Sequence, residues 1–435
     1  MIMNRIHGLR YNPYALLALL ALIIVFVFGV LWTLIPAPPK SIAIATGFQD
    51  GLYYRFGERM QSSLKKEGVE LKVLKTGGTQ DNLALLADPK SGVDLAMIQS
   101  GVADVSQYPD FVSIAGIFYE PVWVFYREAS FKGAPDGLTL LTQLKGKRVS
   151  IGNPGSGTNS IARLLLDTSG IKPADLEIQA LTPQEGSEKL AAGNLDAVFV
   201  VAAAEAPLLK SFINLPGVQL MNFVQADAYA RALPFLTKVE VARGLLSIEN
   251  DLPRLNRQMI AATATLVSRE TISPAIVSLL LENAQDVLKS YSRLQKPGEF
   301  PSTNGLDFPL QIDAEIYLKD GPSFLHRHLP FWTAVWVGRF VRIVIPILAI
   351  LIPIIAYIPA LRDLSLRIRL SRIYAELKVL ERTAADPNAR EASRQALLDI
   401  QMRVNAMKVS SLESKELYDL KGHVNMVRER LKLDS

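Results

Sequence analysis

Two apolar runs constrain this chain more than anything else in it. Tyr14 to Ile35 carries no charge over roughly 20 residues, the length a helix needs to cross the hydrocarbon core of a bilayer. A second run covers about 340–361. Lipid offers no hydrogen-bond partners to a peptide backbone, so runs of this kind are forced to be helices. Arg5 and Arg10 precede the first, and Pro36-Ala37-Pro38-Pro39 ends it without a small-x-small cleavage site, which predicts a retained anchor. Trp332 and Trp336 precede the second, as an interfacial belt would, and Arg362, Arg367, Arg369 and Arg372 follow it. The positive-inside rule then puts residues 1–13 and the tail 362–435 in the cytoplasm. The chain between the spans lies outside, periplasmic or extracellular, on an inner (plasma) membrane crossed twice. Arg339 and Arg342 stand at the outer end of the second span, where snorkelling to the headgroups would accommodate them. Pro346, Pro353 and Pro359 predict a kinked helix there.

Between the runs the pattern is that of a soluble α/β region. Ser41–Thr46 alternates as a strand, Tyr53–Glu67 reads as a helix with Gly68 past its end, and Leu71–Leu74 is a strand. Thr76-Gly77-Gly78-Thr79 turns into a helix with Leu83, Leu85 and Leu86, and Val93–Ile98 is a strand running into Gln99-Ser100-Gly101. Phe111–Tyr126 is long and apolar and suggests two strands with Glu120-Pro121 between them. The rhythm then restarts, with strands at Lys147–Ile151, Leu176–Ala180 and Leu195–Val201 and helices at Asn159–Thr168 and Pro183–Ala192. Alternation of this kind predicts a mostly parallel sheet in two lobes with a cleft between them. Residues 41–325 form this domain, with one lobe from 41–125 and 225–325 and the other from 126–224. A helix at about Pro274–Leu294 returns to the first lobe.

The stretch Val149–Asn159 is a strand, a glycine-rich turn and a helix start. Unpaired N–H groups and the positive end of the helix dipole make it a candidate anion cradle, to which Ser156 and Thr158 add hydroxyls. It lacks the lysine of a phosphate loop, and no Gly-x-Gly-x-x-Gly follows a strand. Three other loops leave strand ends with small or polar residues: Thr46–Tyr54, Thr76–Asn82 and Gln99–Gly101. Ligands of two-lobed α/β proteins sit at such ends. Tyr53 and Tyr54 would wall the site, each also fitting plain core packing.

The inventory of reactive groups disfavours catalysis. The four histidines, His7, His326, His328 and His423, all lie outside the α/β region proper, and the chain has no cysteine. Ser-His-Asp, Cys-His and His-based zinc chemistry are thereby absent from the lobes. The reading is a binding protein with no catalytic residue, no metal and no cofactor. The net charge of +5 does not call for nucleic acid. Past the second run, Leu366, Leu370, Ile373, Leu377 and Leu380 form a heptad seam. Asp386-Pro387 reads as a helix start and Ser410 with Glu413 as a capping box. Further seams follow in Leu397, Ile400, Val404 and Met407, then in Leu417, Leu420, Val424, Val427 and Leu431. These helices either pack on each other or present a face to a cytoplasmic helical partner.

A family resemblance follows from motifs in fixed order. Thr46-Gly47 with Gly51-Leu52-Tyr53-Tyr54, Thr76-Gly77-Gly78-Thr79 with Asn82-Leu83, Gln99-Ser100-Gly101 and Gly155-Ser156-Gly157-Thr158 together resemble the TAXI-type solute-binding proteins of TRAP transporters. The run from Phe118 to Arg127, and Gly321–Leu325 leading to Leu329–Trp332, resemble a branch with a second transmembrane segment and a helical tail. The resemblance implies a periplasmic-binding-protein fold of type II that closes over a small organic anion or acidic amino acid. It implies TRAP-type permease subunits and the lipid bilayer as partners. Carried onto this chain, the contacts come from Gly47, Tyr53, Tyr54, Thr79, Asn82, Gln99, Ser100, Ser156, Gly157 and Thr158, with Gln49 and Asn159 beside them. Phe48-Gln49-Asp50 departs from the glycine-rich first loop of soluble members, and Asp50 and Glu205 would repel an anion if unpaired. Anchoring at both ends leaves a second reading, a membrane sensor or scaffold with a ligand-binding outer domain.

Overall fold

The computed structural model describes residues 13–34, 37–49, 51–289, 293–383, 390–407 and 414–430. Contacts divide the chain into a unit Ile35–Gly338 and a second unit made from the segments on either side of it.

The first unit is built on one mixed sheet. Its strands are β1 (Ser41–Ala45), β2 (Glu70–Leu74), β3 (Leu95–Gln99), β4 (Phe111–Arg127), β5 (Arg148–Ser150), β6 (Glu177–Gln179), β7 (Ala197–Val201), β8 (Val218–Leu220), β9 (Thr237–Val241) and β10 (Arg257–Arg269). The spatial order is β2-β1-β3-β10-β4-β7-β5-β6, with β8 on β4 and β9 on β10. β1, β2 and β3 run parallel, as do β5, β6 and β7. β10 and β4 run against their neighbours, which makes the sheet mixed where parallel strands were expected.

β4 is one strand, not two. Phe111 to Pro121 pairs with β10, and Val122 to Tyr126 pairs with β7. Pro121 has no N–H to give a ladder, and it stands where the partner changes, its carbonyl accepting from Ala202. Nearly all of this strand is buried.

Helices cover the sheet on its apolar side chains. In α2 (Leu52–Lys66), Leu52, Phe56, Met60 and Leu64 recur every four residues and are buried. α3 (Thr79–Ala87) buries Leu83 and Leu86. α4 (Gly157–Thr168) is N-capped by Ser156, and α5 (Pro183–Ala191) by a Thr182–Glu185 capping box. A short α6 (Ala226–Ala232) precedes β9. α7 (Pro274–Leu288) returns to the first half of the sheet, where Ser63 of α2 donates to Asn283. α8 (Ile312–Asp320) packs beside α7.

The second unit contains α1 (Pro13–Leu34), most of α9 (Phe331–Thr383), α10 (Arg390–Asn405) and α11 (Ser414–Arg430). The two flanking spans expected from sequence become one candidate among the described residues: Phe331–Pro353 is long and apolar enough to cross a membrane, earlier than 340–361. The described apolar part of α1, Ile24–Thr33, is shorter than a span. α9 is a single helix through Pro346, Pro353 and Pro359.

Arg339 does not reach away from this helix as expected. It is 7% exposed, donates from Nη2 to the Trp32 carbonyl at 3.0 Å, and its guanidinium lies 4.3 Å over the Trp32 ring. That carbonyl belongs to the last turn of α1, where helix carbonyls lack partners and the dipole is negative, so a buried cation is satisfied there. Trp332, expected in an interfacial belt, instead donates to the Glu67 carbonyl at 2.9 Å within the first unit, with Lys40 over its ring.

The tail seams are spent on each other. Leu370, Ile373, Leu377 and Leu380 of α9 form one core with Leu397, Ile400 and Val404 of α10 and Leu417, Leu420, Val424 and Val427 of α11. Glu376 pairs with Arg403, and Tyr374 bonds to His423, so α9 contacts both other helices. The side chain of Leu366, Asp386-Pro387, Ser410 with Glu413, and Leu431 lie outside the described residues.

Candidate functional site

β3 and α3 supply one side of the candidate site. Thr79 opens α3, and its Oγ1 accepts from the Gln99 N–H at 3.0 Å at the end of β3. Asn82, expected to face a ligand, is fully buried and spent on the scaffold. Its amide donates to the carbonyls of Thr46 and Met97 and accepts from Thr76. Ser100 is likewise buried, accepting from Thr263 N–H and donating to the Phe235 carbonyl.

The turn after β5 supplies the other side. Ser156 caps α4 by accepting from Asn159 N–H, and donates to the Asn153 carbonyl. Thr158 Oγ1 accepts from Val201 N–H, tying α4 to the end of β7. Asn159 is buried, donates to the Gly152 carbonyl and accepts from Arg163. The hydroxyls and amides picked out in sequence therefore build the turn. What the turn leaves free is the backbone at its tip, since the first-turn N–H groups of Gly157 and Thr158 have no carbonyl within the helix to meet.

Gln99 meets this tip from the opposite half of the sheet. A Cβ on Gly157 would lie 1.6 Å from Gln99 Oε1 and 2.8 Å from its Cδ. A side chain at 157 would have to push that carboxamide aside. Gln99 is 6% exposed, and its Nε2 has no hydrogen-bond partner. A buried amide with both donors unmet costs roughly 1–3 kcal/mol, so this group is poised for an acceptor. The fold brings Gln99 and Gly157 together from two different loops.

The sequence sets Glu120 with Pro121 between two strands and marks no role for it. It is 8% exposed on β4, one residue before the strand changes partner. Tyr53 Oη donates to its Oε2 at 2.7 Å, and the Tyr53 hydroxyl also meets the side chain of Thr79. Burial pushes the Glu120 carboxyl up to about 7, against the lowering effect of the Tyr53 hydrogen bond. Burial, then the neighbouring Glu120, push the Tyr53 phenol well above its usual value. Asp307, which accepts the Gly101 N–H on both oxygens, is pushed by burial up to about 6. The network thus runs from Glu120 through Tyr53 and Thr79 to Gln99 and Gly157.

The first loop is less engaged. Gly47 is buried and bonds through its carbonyl to Thr76 N–H. Phe48 is 71% exposed. Gln49 is exposed and held by Lys75, whose ammonium also lies over the Tyr54 ring. Asp50 lies outside the described residues. Glu205 is not unpaired, since it accepts from Arg293 N–H at 2.6 Å.

The sequence model of the NMT1-like family matches residues 44–320, more than half of the chain and all of this network. The chain belongs to the NMT1-like family. Among solved structures, this NMT1-like chain is similar to the periplasmic aliphatic sulphonate binding protein SsuA from Escherichia coli, at 15% identity over 57% of this chain and 72% of that one, TM-score 0.38. It is similar to the BenM effector binding domain with its effector benzoate, at 13% identity over 60% and 98%, TM-score 0.39. A third is the ligand binding component of an ABC-type import system from Staphylococcus aureus with zinc bound, at 13% identity over 57% and 73%, TM-score 0.35.

Two outcomes follow for the NMT1-like domain. Gly157→Ala is expected to lower thermal stability by driving Gln99 aside, and Gln99→Ala added to it to recover part of the loss. A double-mutant cycle should give a coupling of about 1 kcal/mol or more; additive losses would mean that the two residues do not meet. The second outcome concerns pH. A carboxyl whose folded value is raised from 4.5 to about 7 stabilises the fold fully at low pH and loses that contribution as pH rises through 7. The loss is up to about 3 kcal/mol for Glu120, and Asp307 acts in the same direction. Melting temperature should fall between pH 5 and 8, and Glu120→Gln should flatten the profile.

Proposed function

We propose that the NMT1-like domain is the solute-binding part of a membrane-anchored TRAP-type uptake system, a periplasmic-binding-protein domain of type II on the outer face of the membrane. It holds a small carboxylate or acidic amino acid between a lobe of 41–125 with 225–325 and a lobe of 126–224, and performs no chemistry. The observation that carries this reading is the meeting of Gln99 and Gly157. The carboxamide of Gln99, from one half of the sheet, abuts Gly157 at the N-terminus of α4 on the other, with Oε1 the nearer atom and the buried Nε2 beside it without a partner. An oxyanion accepts from both, because N–H groups and the helix dipole favour negative charge there. Thr79 fixes Gln99 from behind, and Tyr53 stands beside it. Binding at such a junction draws the halves together, and the permease subunits would then receive the closed form. The order of the loop motifs supports the TRAP assignment, and the apolar segment Phe331–Pro353 supports anchoring to the bilayer.

Calorimetry of the detergent-solubilised full chain against dicarboxylates and acidic amino acids is expected to show saturable heat that Gly157→Ala reduces at least tenfold. A wholly silent panel would sink the reading.

A second reading, a sensor or scaffold, is favoured by one observation: α9 starts at Phe331 beside Trp332, which is bonded to the Glu67 carbonyl, and ends in the tail core at Thr383. Deleting 383–435 is expected to leave uptake intact under the transport reading. Intact uptake with loss of a cytoplasmic response would favour the sensor.

A further inference from the structure

Among the described residues Glu120 has no counter-charge. Its Oε2 accepts from the Tyr53 hydroxyl, and among the described residues its Oε1 accepts from nothing. The ion pairs among the described residues of this unit, Lys145–Asp175, Arg148–Asp196, Lys238–Asp227, Arg243–Asp251 and Lys289–Asp286, all leave it out. An isolated buried carboxylate is among the costliest groups a fold can hold, and it persists where a proton or a cation meets it. Its place ties it to the binding reading above. It stands at the residue before β4 leaves β10 for β7, and its partner Tyr53 meets Thr79, which holds Gln99 by the backbone. Tyr53 and Thr79 therefore stand between this carboxyl and the backbone of Gln99, whose side chain reaches Gly157.

We propose that Glu120 is the counter-charge for an ammonium group on the bound solute, so that the solute carries an oxyanion at the α4 end and a protonated amine at the β4 end. This rests on the solute-binding reading, and narrows it from carboxylates in general to amine-bearing ones. The carboxyl end meets Gln99 Nε2 and the α4 N-terminus. The amine donates to Glu120 Oε1, which Tyr53 orients through Oε2. A dicarboxylate without an amine leaves Glu120 without its cation and brings a further anion into the same network.

The test compares ligands that differ by the amine alone. Calorimetry of the full chain in detergent at pH 8 would use L-aspartate against succinate and L-glutamate against glutarate, in the wild type and in Glu120→Gln. The amine member of each pair should bind at least tenfold more tightly to the wild type, and Glu120→Gln should bring that ratio close to one. A melting curve of Glu120→Gln at pH 5, where the wild-type carboxyl is itself protonated, shows that the variant is folded. A wild-type ratio near one, or a ratio untouched by Glu120→Gln, overturns the proposal while the solute-binding reading stands. Tighter binding of the des-amino acids with uptake of one proton, read from the buffer dependence of the heat, also overturns it, since a proton then does what the amine was assigned. Silence towards all four ligands brings down the solute-binding reading and this proposal with it.

Discussion

A strand of 17 residues buried almost end to end has to pair its backbone on both sides, and β4 does so by changing partners midway. Everything else in the NMT1-like domain is arranged around that requirement. β10 must come back antiparallel beside its first part, and β7 must lie antiparallel beside its second. The two parallel sets, β1 to β3 and β5 to β7, are then held at opposite ends of one sheet. Their carboxyl ends present the loops that carry Gln99 and Gly157. A buried backbone N–H or C=O without a partner costs as much as a lost hydrogen bond, so the geometry of the junction follows from the accounting of one strand.

Much of this was legible in the residues. The helices and parallel strands were found within a few residues because their apolar positions recur with clear periods, as in Leu52, Phe56, Met60 and Leu64. β10 was not found. Its centre, Ala261-Ala262-Thr263-Ala264-Thr265, is made of small residues that suit a strand squeezed between two neighbours and carry little hydrophobic signal. The unbroken course of β4 was hidden by Pro121, which reads as a break. The strand tolerates it because the proline falls where one ladder gives way to another.

The sequence is silent on the role each polar side chain of the candidate site takes. Of the residues that the sequence assigns to the loops, Asn82, Ser100, Ser156, Thr158 and Asn159 hold those loops together. A small polar side chain looks the same in sequence whether it faces a solute or a neighbouring carbonyl. Glu120 shows the opposite error. A carboxyl amid Phe118, Tyr119, Val122 and Trp123 reads, with Pro121, as a break between two strands, whereas the structure buries it within one.

The clearance between Gln99 and Gly157 also bears on how such a chain drifts. Glycine at 157 leaves in place a side chain nearly sixty positions earlier, and any larger residue there would have to displace it. Shortening residue 99 would lift that restriction, and any side chain gained at 157 would then bar the return of glutamine. The two positions are therefore coupled, and the effect of a substitution at one depends on the residue at the other.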